Sequence, residues 1–146
     1  MEIRECMSKD VRMLGPDDTV QDAAKLMAEC DTGVVPINDG ERLVGMVTDR
    51  DLVVRALCEG KGGETPLRDV MSPEILYCFE DEDIKHVAKN MADVQVRRLP
   101  VMNRDKRLVG IVSVGDLARS QDTKTVGSAM CGISRPGGAH DQVAAH

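Results

Sequence analysis

Two seven-residue stretches carry side chains whose types and spacing could do chemistry. Gly45-Met46-Val47-Thr48-Asp49-Arg50-Asp51 and Gly110-Ile111-Val112-Ser113-Val114-Gly115-Asp116 share one order: Gly, two apolar residues, a hydroxyl residue, two variable positions, Asp. Where a strand passes into a helix, that order suits a phosphorylated nucleoside. A helix N-terminus offers unpaired N–H groups and a positive dipole end to a phosphate, and the Thr or Ser hydroxyl adds a donor. An Asp one turn on can accept two hydrogen bonds from ribose hydroxyls, and Gly lets a backbone come close. The same spacing also reads as a helix capping box, a device the chain repeats at Thr19-x-x-Asp22. Spacing alone supports both readings.

A second feature differs between the copies. One has Gly33-Val34-Val35-Pro36 where the other has Arg97-Arg98-Leu99-Pro100. Adjacent guanidiniums at the entry to a strand could clamp a phosphate; they could equally be a solvated pair neutralised by nearby carboxylates. Arg50 stands where the other copy has Gly115, so the two sites are not equivalent and their affinities should differ.

The elements that position these residues follow from an internal repeat. Met7-Ser8 recurs as Met71-Ser72 at a shift of 64, and Asp17, Met27-Ala28 and Pro36 recur as Asp81, Met91-Ala92 and Pro100. From Arg42-Leu43-Val44-Gly45 against Arg107-Leu108-Val109-Gly110 the shift is 65, the extra residue falling in the turn at Asn103 to Lys106. In the first copy a short strand at Val11 to Leu14 precedes a helix entered at Asp17-Asp18-Thr19. Val20, Ala23, Ala24, Met27 and Ala28 give that helix an apolar face as far as Cys30. Strands follow at Val34 to Ile37 and Leu43 to Val47 around the tight turn Asn38-Asp39-Gly40, then a helix from Thr48 to about Cys58. The second copy repeats this with Ile75 to Cys78, Asp83 to Val94, Leu99 to Met102, Leu108 to Val112 and a helix from Ser113. The order is β-α-β-β-α, twice. The expected class is α/β in composition, more narrowly α+β.

The expected organisation is a first repeat at 1–58, a Gly-rich linker at 59–66, a second repeat at 67–121 and a tail at 122–146. A unit of about 55 residues is marginal alone, so the two copies should bury their sheets against each other. The tail carries enough periodicity at Lys124 to Met130 for a helical turn or two before Arg135-Pro136-Gly137-Gly138 breaks it.

Composition removes several function classes. The chain has 19 Lys and Arg against 25 Asp and Glu, a net charge of −6, and Tyr77 and Phe79 are its only aromatic residues. Nucleic-acid binders need a basic face or stacking aromatics, so nucleic acid is not an expected partner. No apolar run approaches the ~18 residues of a membrane span, and no cationic-then-apolar leader is visible, so the cytoplasm is the default location. The five cysteines, Cys6, Cys30, Cys58, Cys78 and Cys131, include no C-x-x-C pair, and no metal site is expected. Cys30 and Cys78 fall at apolar positions and read as small core residues. Phosphate-loop, dinucleotide-fold, H-E-x-x-H and nucleophile–His patterns are all missing, so no catalytic residues and no enzyme activity are expected.

The tandem units, the strands Val35-Pro36-Ile37 and Leu99-Pro100-Val101, and the two G-x-x-[TS]-x-x-D junctions resemble a pair of cystathionine-β-synthase (CBS) domains. Such a pair is the Bateman module, here similar to its stand-alone bacterial type, and the likeness covers residues 1 to about 121. It implies two packed three-stranded sheets with a cleft and pseudo-twofold symmetry. It implies regulatory binding of an adenosyl ligand (AMP, ADP, ATP, NAD or S-adenosylmethionine) with no obligatory cofactor, and Mg²⁺ only alongside a polyphosphate. By position, Asp51 and Asp116 would hold ribose hydroxyls, and Thr48 and Ser113 the phosphate. Backbone near Val35 and Leu99 would flank adenine. Arg97 and Arg98 match basic positions that contact phosphate in related modules, whereas Gly33 and Val34 depart from them and leave Arg50 as that copy's cation. The resemblance implies a homodimer that signals to a downstream protein through a change of shape or dimer contact. The alternative is an interaction scaffold with no bound nucleotide.

Overall fold

Thr19 starts the first helix, α1 (Val20–Cys30), through a closed capping box. Its Oγ1 accepts the Asp22 N–H at 3.2 Å, while Asp22 Oδ2 accepts the Thr19 N–H at 3.0 Å. The helix ends at Asp31, which adopts the left-handed conformation at φ 50°. Ala23, Leu26 and Met27 form its buried face. Ala24, Ala28 and Cys30 are exposed, which corrects the wider apolar face expected from periodicity. The computed structural model describes residues 1–73, 75–120 and 123–136. His140, Val143 and His146, and the end of the expected tail, lie outside these residues.

After α1 the chain forms an antiparallel hairpin of β1 (Val34–Asp39) and β2 (Arg42–Thr48), turning at Gly40 with φ 64°. Every second residue of β2, Leu43, Gly45 and Val47, is buried, as a sheet with one core face requires. Thr48 then caps α2 (Asp49–Asp51), which continues from Leu52 to Leu57 with wider, π-type turns. The Cys58 N–H, for example, reaches back five residues to Val53 O at 2.8 Å. Leu14 pairs with Ile37 in a single parallel bridge, so the strand expected at Val11 to Leu14 is one residue of contact only. Arg12 and Met13 are exposed and supply no core face. These parts form one compact unit, Arg12–Ile75.

The second compact unit comprises Met1–Val11 and the described chain from Leu76 onward. Its sheet runs β3 (Cys78–Phe79), β4 (Arg98–Met102), β5 (Leu108–Ser113), with β3–β4 parallel and β4–β5 antiparallel. The strand expected from Ile75 thus shortens to two residues. Asp83 caps α3 (Ile84–Val94), which ends at a left-handed Gln95, φ 58°. Asp31 and Gln95 are one repeat apart, so both copies end this helix in the same way. Ile84, Val87 and Met91 are each at most 1% exposed, and burial of this kind stabilises by about 1.5–3 kcal/mol per side chain. The helix after the second junction is α4 (Val114–Ser120). The tail extends further than its periodicity suggested: α5 (Thr123–Ile133) buries Ala129 and Ile133 in the same core.

Each compact unit is completed by a short 3-10 turn from the start of the other repeat. Leu67–Asp69 supplies Leu67 to the core of Arg12–Ile75, and Ile3–Glu5 supplies Ile3 to the core built on α3 and β4. Repeat boundaries and compact-unit boundaries therefore differ. Cys78 is buried as expected, and burial pushes its thiol pKa up to about 12.

The turn after β4, one residue longer than its counterpart, holds a side chain with a visible use. Arg104 donates to both oxygens of Asp81, at 2.9 and 2.8 Å, and its guanidinium lies 4.1 Å above the Phe79 ring. These hydrogen bonds hold the Asp81 carboxyl below its ordinary value of 3.8. A carboxyl lowered on folding adds stability above its unfolded pKa, and that contribution is lost as pH falls through the folded value. The pair is solvated, so the effect on stability is small. An NMR titration should place the Asp81 midpoint below 3.8, and Arg104→Ala should raise it. Identical midpoints in the two proteins would show that the pair does not persist in solution.

Candidate functional site

Each junction lies inside one compact unit, and the two are built alike. Thr48 is the last residue of β2 and Ser113 the last of β5. Thr48 Oγ1 accepts the Asp51 N–H at 3.1 Å, and Asp51 Oδ2 accepts the Thr48 N–H at 2.9 Å. The Ser113–Asp116 pair has the same two bonds at 3.1 and 2.9 Å. The capping-box reading is thus realised at both junctions. It uses one oxygen of each Asp and leaves the other outside the cap.

That remaining oxygen faces a guanidinium in both units. Asp51 Oδ1 lies 3.7 Å from Arg55 Nε, and Asp116 Oδ1 accepts a hydrogen bond from Arg119 Nη2. The Asp51 and Asp116 side chains are 17% and 11% exposed, so each is largely but not wholly covered. A ribose diol donating there would share or displace the arginine. Arg55 also donates to Met71 O at 3.3 Å.

The other expected residues fall around these caps. In the β4–β5 register Arg98 is directly opposite Ser113, and the Arg97 carbonyl accepts the Val114 N–H at 3.0 Å. Both arginines are exposed, and neither forms an ion pair among the described residues. Arg50 is likewise exposed in the first turn after Thr48. Val35 and Leu99, 1% and 3% exposed, point their side chains into the two cores, which leaves only their backbone for a ligand.

The junction glycines have a structural partner that the sequence reading missed. A Cβ at Gly45 would lie 2.8 Å from both Met71 Sδ and Ser72 O, and one at Gly110 would lie 2.6 Å from Met7 Sδ and 2.8 Å from Ser8 O. Met46 exchanges backbone hydrogen bonds with Ser72, and Ile111 with Ser8. The repeated Met-Ser pair and the repeated Gly are therefore the two sides of one contact. Cys6 was also missed. Burial and then the neighbouring Asp116 carboxylate push its thiol pKa up, while a hydrogen bond with Ser120 opposes them. Its counterpart one repeat on is Val70, and no motif flags either position.

A separate open cleft of about 790 Å³ lies between α3 and α5, with Asp93, Lys124 and Arg135 on its walls. It contains none of the residues expected from the sequence to bind a ligand. Among the described residues no three His, Cys, Asp or Glu side chains gather as metal ligands. No helix among them is long and apolar enough to cross a membrane.

The CBS domain family model matches residues 3–57 and 67–122, each ending at or just beyond a junction helix. The chain belongs to the CBS domain family. This CBS-domain protein is 37% identical over 133 residues to the CBS domain-containing protein YhcV of Bacillus subtilis, covering 90% of this chain and 94% of YhcV. Its fold matches the CBS domain pair of protein MJ0100, crystallised with 5′-methylthioadenosine and S-adenosyl-L-methionine. The TM-score is 0.73 at 26% identity, over 82% of this chain and 94% of that one. It also matches CBSX2, crystallised with AMP, with TM-score 0.71 and 27% identity over 82% of this chain and 94% of that one. The tandem α+β architecture expected from the repeat is that of this family.

Proposed function

We propose that this CBS-domain protein is a non-catalytic sensor of an adenosyl ligand, bound at the two strand-to-helix junctions. The observation that carries the reading is the pairing, at both junctions, of a capped helix start with a carboxylate that keeps one oxygen free of the cap. Two structural neighbours that bind adenosyl compounds support the ligand class. In this reading Asp51 and Asp116 accept from ribose, and Thr48 and Ser113 with the first-turn N–H groups meet the 5′ substituent. Arg97 and Arg98 at the second junction, and Arg50 at the first, supply positive charge. Backbone beside Val35 and Leu99 flanks the base. AMP, ADP, ATP, NAD and S-adenosylmethionine are the candidates, with Mg²⁺ entering only on a polyphosphate. The protein acts in the cytoplasm as a homodimer, and a ligand favouring one of two states passes the change to a partner protein.

Titration calorimetry with AMP and adenosine tests the phosphate role. Arg97→Ala with Arg98→Ala should weaken AMP by on the order of tenfold to a hundredfold, since charge-assisted hydrogen bonds contribute about 1.5–3 kcal/mol, and leave adenosine nearly unchanged. Equal weakening of both compounds would remove the two arginines from the phosphate site. A chain that binds none of the five candidates would be better described as an interaction scaffold.

A further inference from the structure

We propose that the first junction selects an adenosyl ligand whose 5′ end is uncharged or cationic, with Asp49 as the residue that turns phosphate away. This rests on the reading that the junctions bind adenosyl ligands, and it assigns them different ligand classes.

The observation is a carboxylate where the other repeat has the stem of a guanidinium. A Cβ built on Gly33 would lie 2.9 Å from Asp49 Oδ2, 3.2 Å from its Cγ and 3.3 Å from its Oδ1. The Asp49 carboxylate therefore fills the space where any side chain at position 33 would begin. Two backbone bonds fix it there. The Asp49 N–H donates to Gly33 O at 3.0 Å, and Asp49 Oδ1 accepts the Arg50 N–H at 2.9 Å. In the other unit the Val114 N–H donates to Arg97 O at 3.0 Å, so Gly33–Asp49 and Arg97–Val114 are equivalent pairs. One pair places a carboxylate beside the start of the helix; the other has an arginine in place of the glycine and an apolar residue in place of the acid.

The surrounding charge points the same way. Residues 33–34 and 48–51 carry two carboxylates and one guanidinium, whereas 97–98 and 113–116 carry one carboxylate and two guanidiniums. Asp49 is exposed and joins no ion pair among the described residues, so its charge is not neutralised locally. A phosphate about 6 Å away, at an effective dielectric constant of about 40, would be disfavoured on the order of tenfold per unit charge. A thioether, hydroxyl or sulfonium at the 5′ carbon meets no such repulsion, and a sulfonium is attracted.

Calorimetry with adenosine and AMP tests this in an Asp116→Ala chain, where the second junction is disabled. Adenosine should bind more tightly than AMP. Asp49→Asn should raise AMP affinity on the order of tenfold, with adenosine unchanged. Gly33→Arg with Asp49→Val, which transplants the other pair, should raise AMP affinity further. The converse change, Val114→Asp in the otherwise wild-type chain, needs no disabled site and should cost AMP but not adenosine on the order of tenfold at the second junction. Binding with an AMP-to-adenosine ratio that none of these changes moves would overturn the role of Asp49 alone. If wild type binds neither compound, the sensor reading fails together with it. An Asp49 that merely favours the helix dipole would change melting temperature and leave that ratio fixed.

Discussion

With AMP at about one hundred times its dissociation constant, the wild-type chain should gain about 2.7 kcal/mol of stability, and Asp116→Ala should lose that gain. For a chain of this size the gain reads as a rise of roughly 5–10 °C in melting temperature. The expectation follows from the split use of the carboxylate. Oδ2 is committed to the Ser113 N–H at 2.9 Å, while among the described residues Oδ1 is bonded by Arg119, whose side chain is 74% exposed. Ribose hydroxyls can take over at Oδ1 without breaking the cap. Asp116→Asn separates the roles, because an amide oxygen still accepts the Ser113 N–H but the charge is gone. A carboxylate that serves only as a cap predicts a lower melting temperature without ligand and an undiminished ligand response. The sensor reading predicts that the response itself shrinks. The same series with ADP, ATP, NAD and S-adenosylmethionine identifies the ligand, and a flat response to all five would favour the scaffold.

Gly110→Ala should destabilise its unit by about 1–3 kcal/mol, the usual cost of forcing a methyl group into a filled core. The added Cβ would stand 2.6 Å from Met7 Sδ and 2.8 Å from Ser8 O. A thioether can swing aside, but the Ser8 carbonyl is tied down by its hydrogen bond from the Ile111 N–H at 3.0 Å. Adding Met7→Ala should therefore recover only part of the loss. Gly45→Ala should behave alike, facing Met71 Sδ and Ser72 O at 2.8 Å each. Thermal unfolding without ligand checks both. An unaltered melting temperature with weakened nucleotide binding would return these glycines to the role read from sequence, a close backbone approach to the ligand.

That reversal over glycine shows where sequence reading stops. The motif was legible, and so were the residues matching it, yet the reason for its first position was not. A glycine that makes room for a ligand and one that makes room for a methionine look the same in a single chain. The methionine is distant in sequence both times: Met71 lies 26 residues after Gly45, and Met7 lies 103 residues before Gly110. Cys30 gives a second instance. Its position continued the apolar rhythm of α1, but the helix buries Ala23, Leu26 and Met27, packs Val20 beside them and leaves its last three residues exposed. Asp49 gives a third, since a variable position within the motif becomes distinctive only when its carboxylate is seen against Gly33.

Legible in the chain alone were the tandem α+β repeat, the helix starts at Thr19, Thr48 and Ser113, the hairpin turn at Gly40 and the residue order of both junctions. These are local properties: periodicity sets which face is apolar, and a cap closes over three residues. Tertiary structure alone decided that Ile3 and Leu67 complete cores outside their own repeats, and that α5 buries Ala129 and Ile133. It also decided that a carboxylate in one junction replaces the guanidinium stem of the other. Those outcomes depend on which distant segments meet, and side-chain burial rewards contact without recording in the chain which partner will supply it.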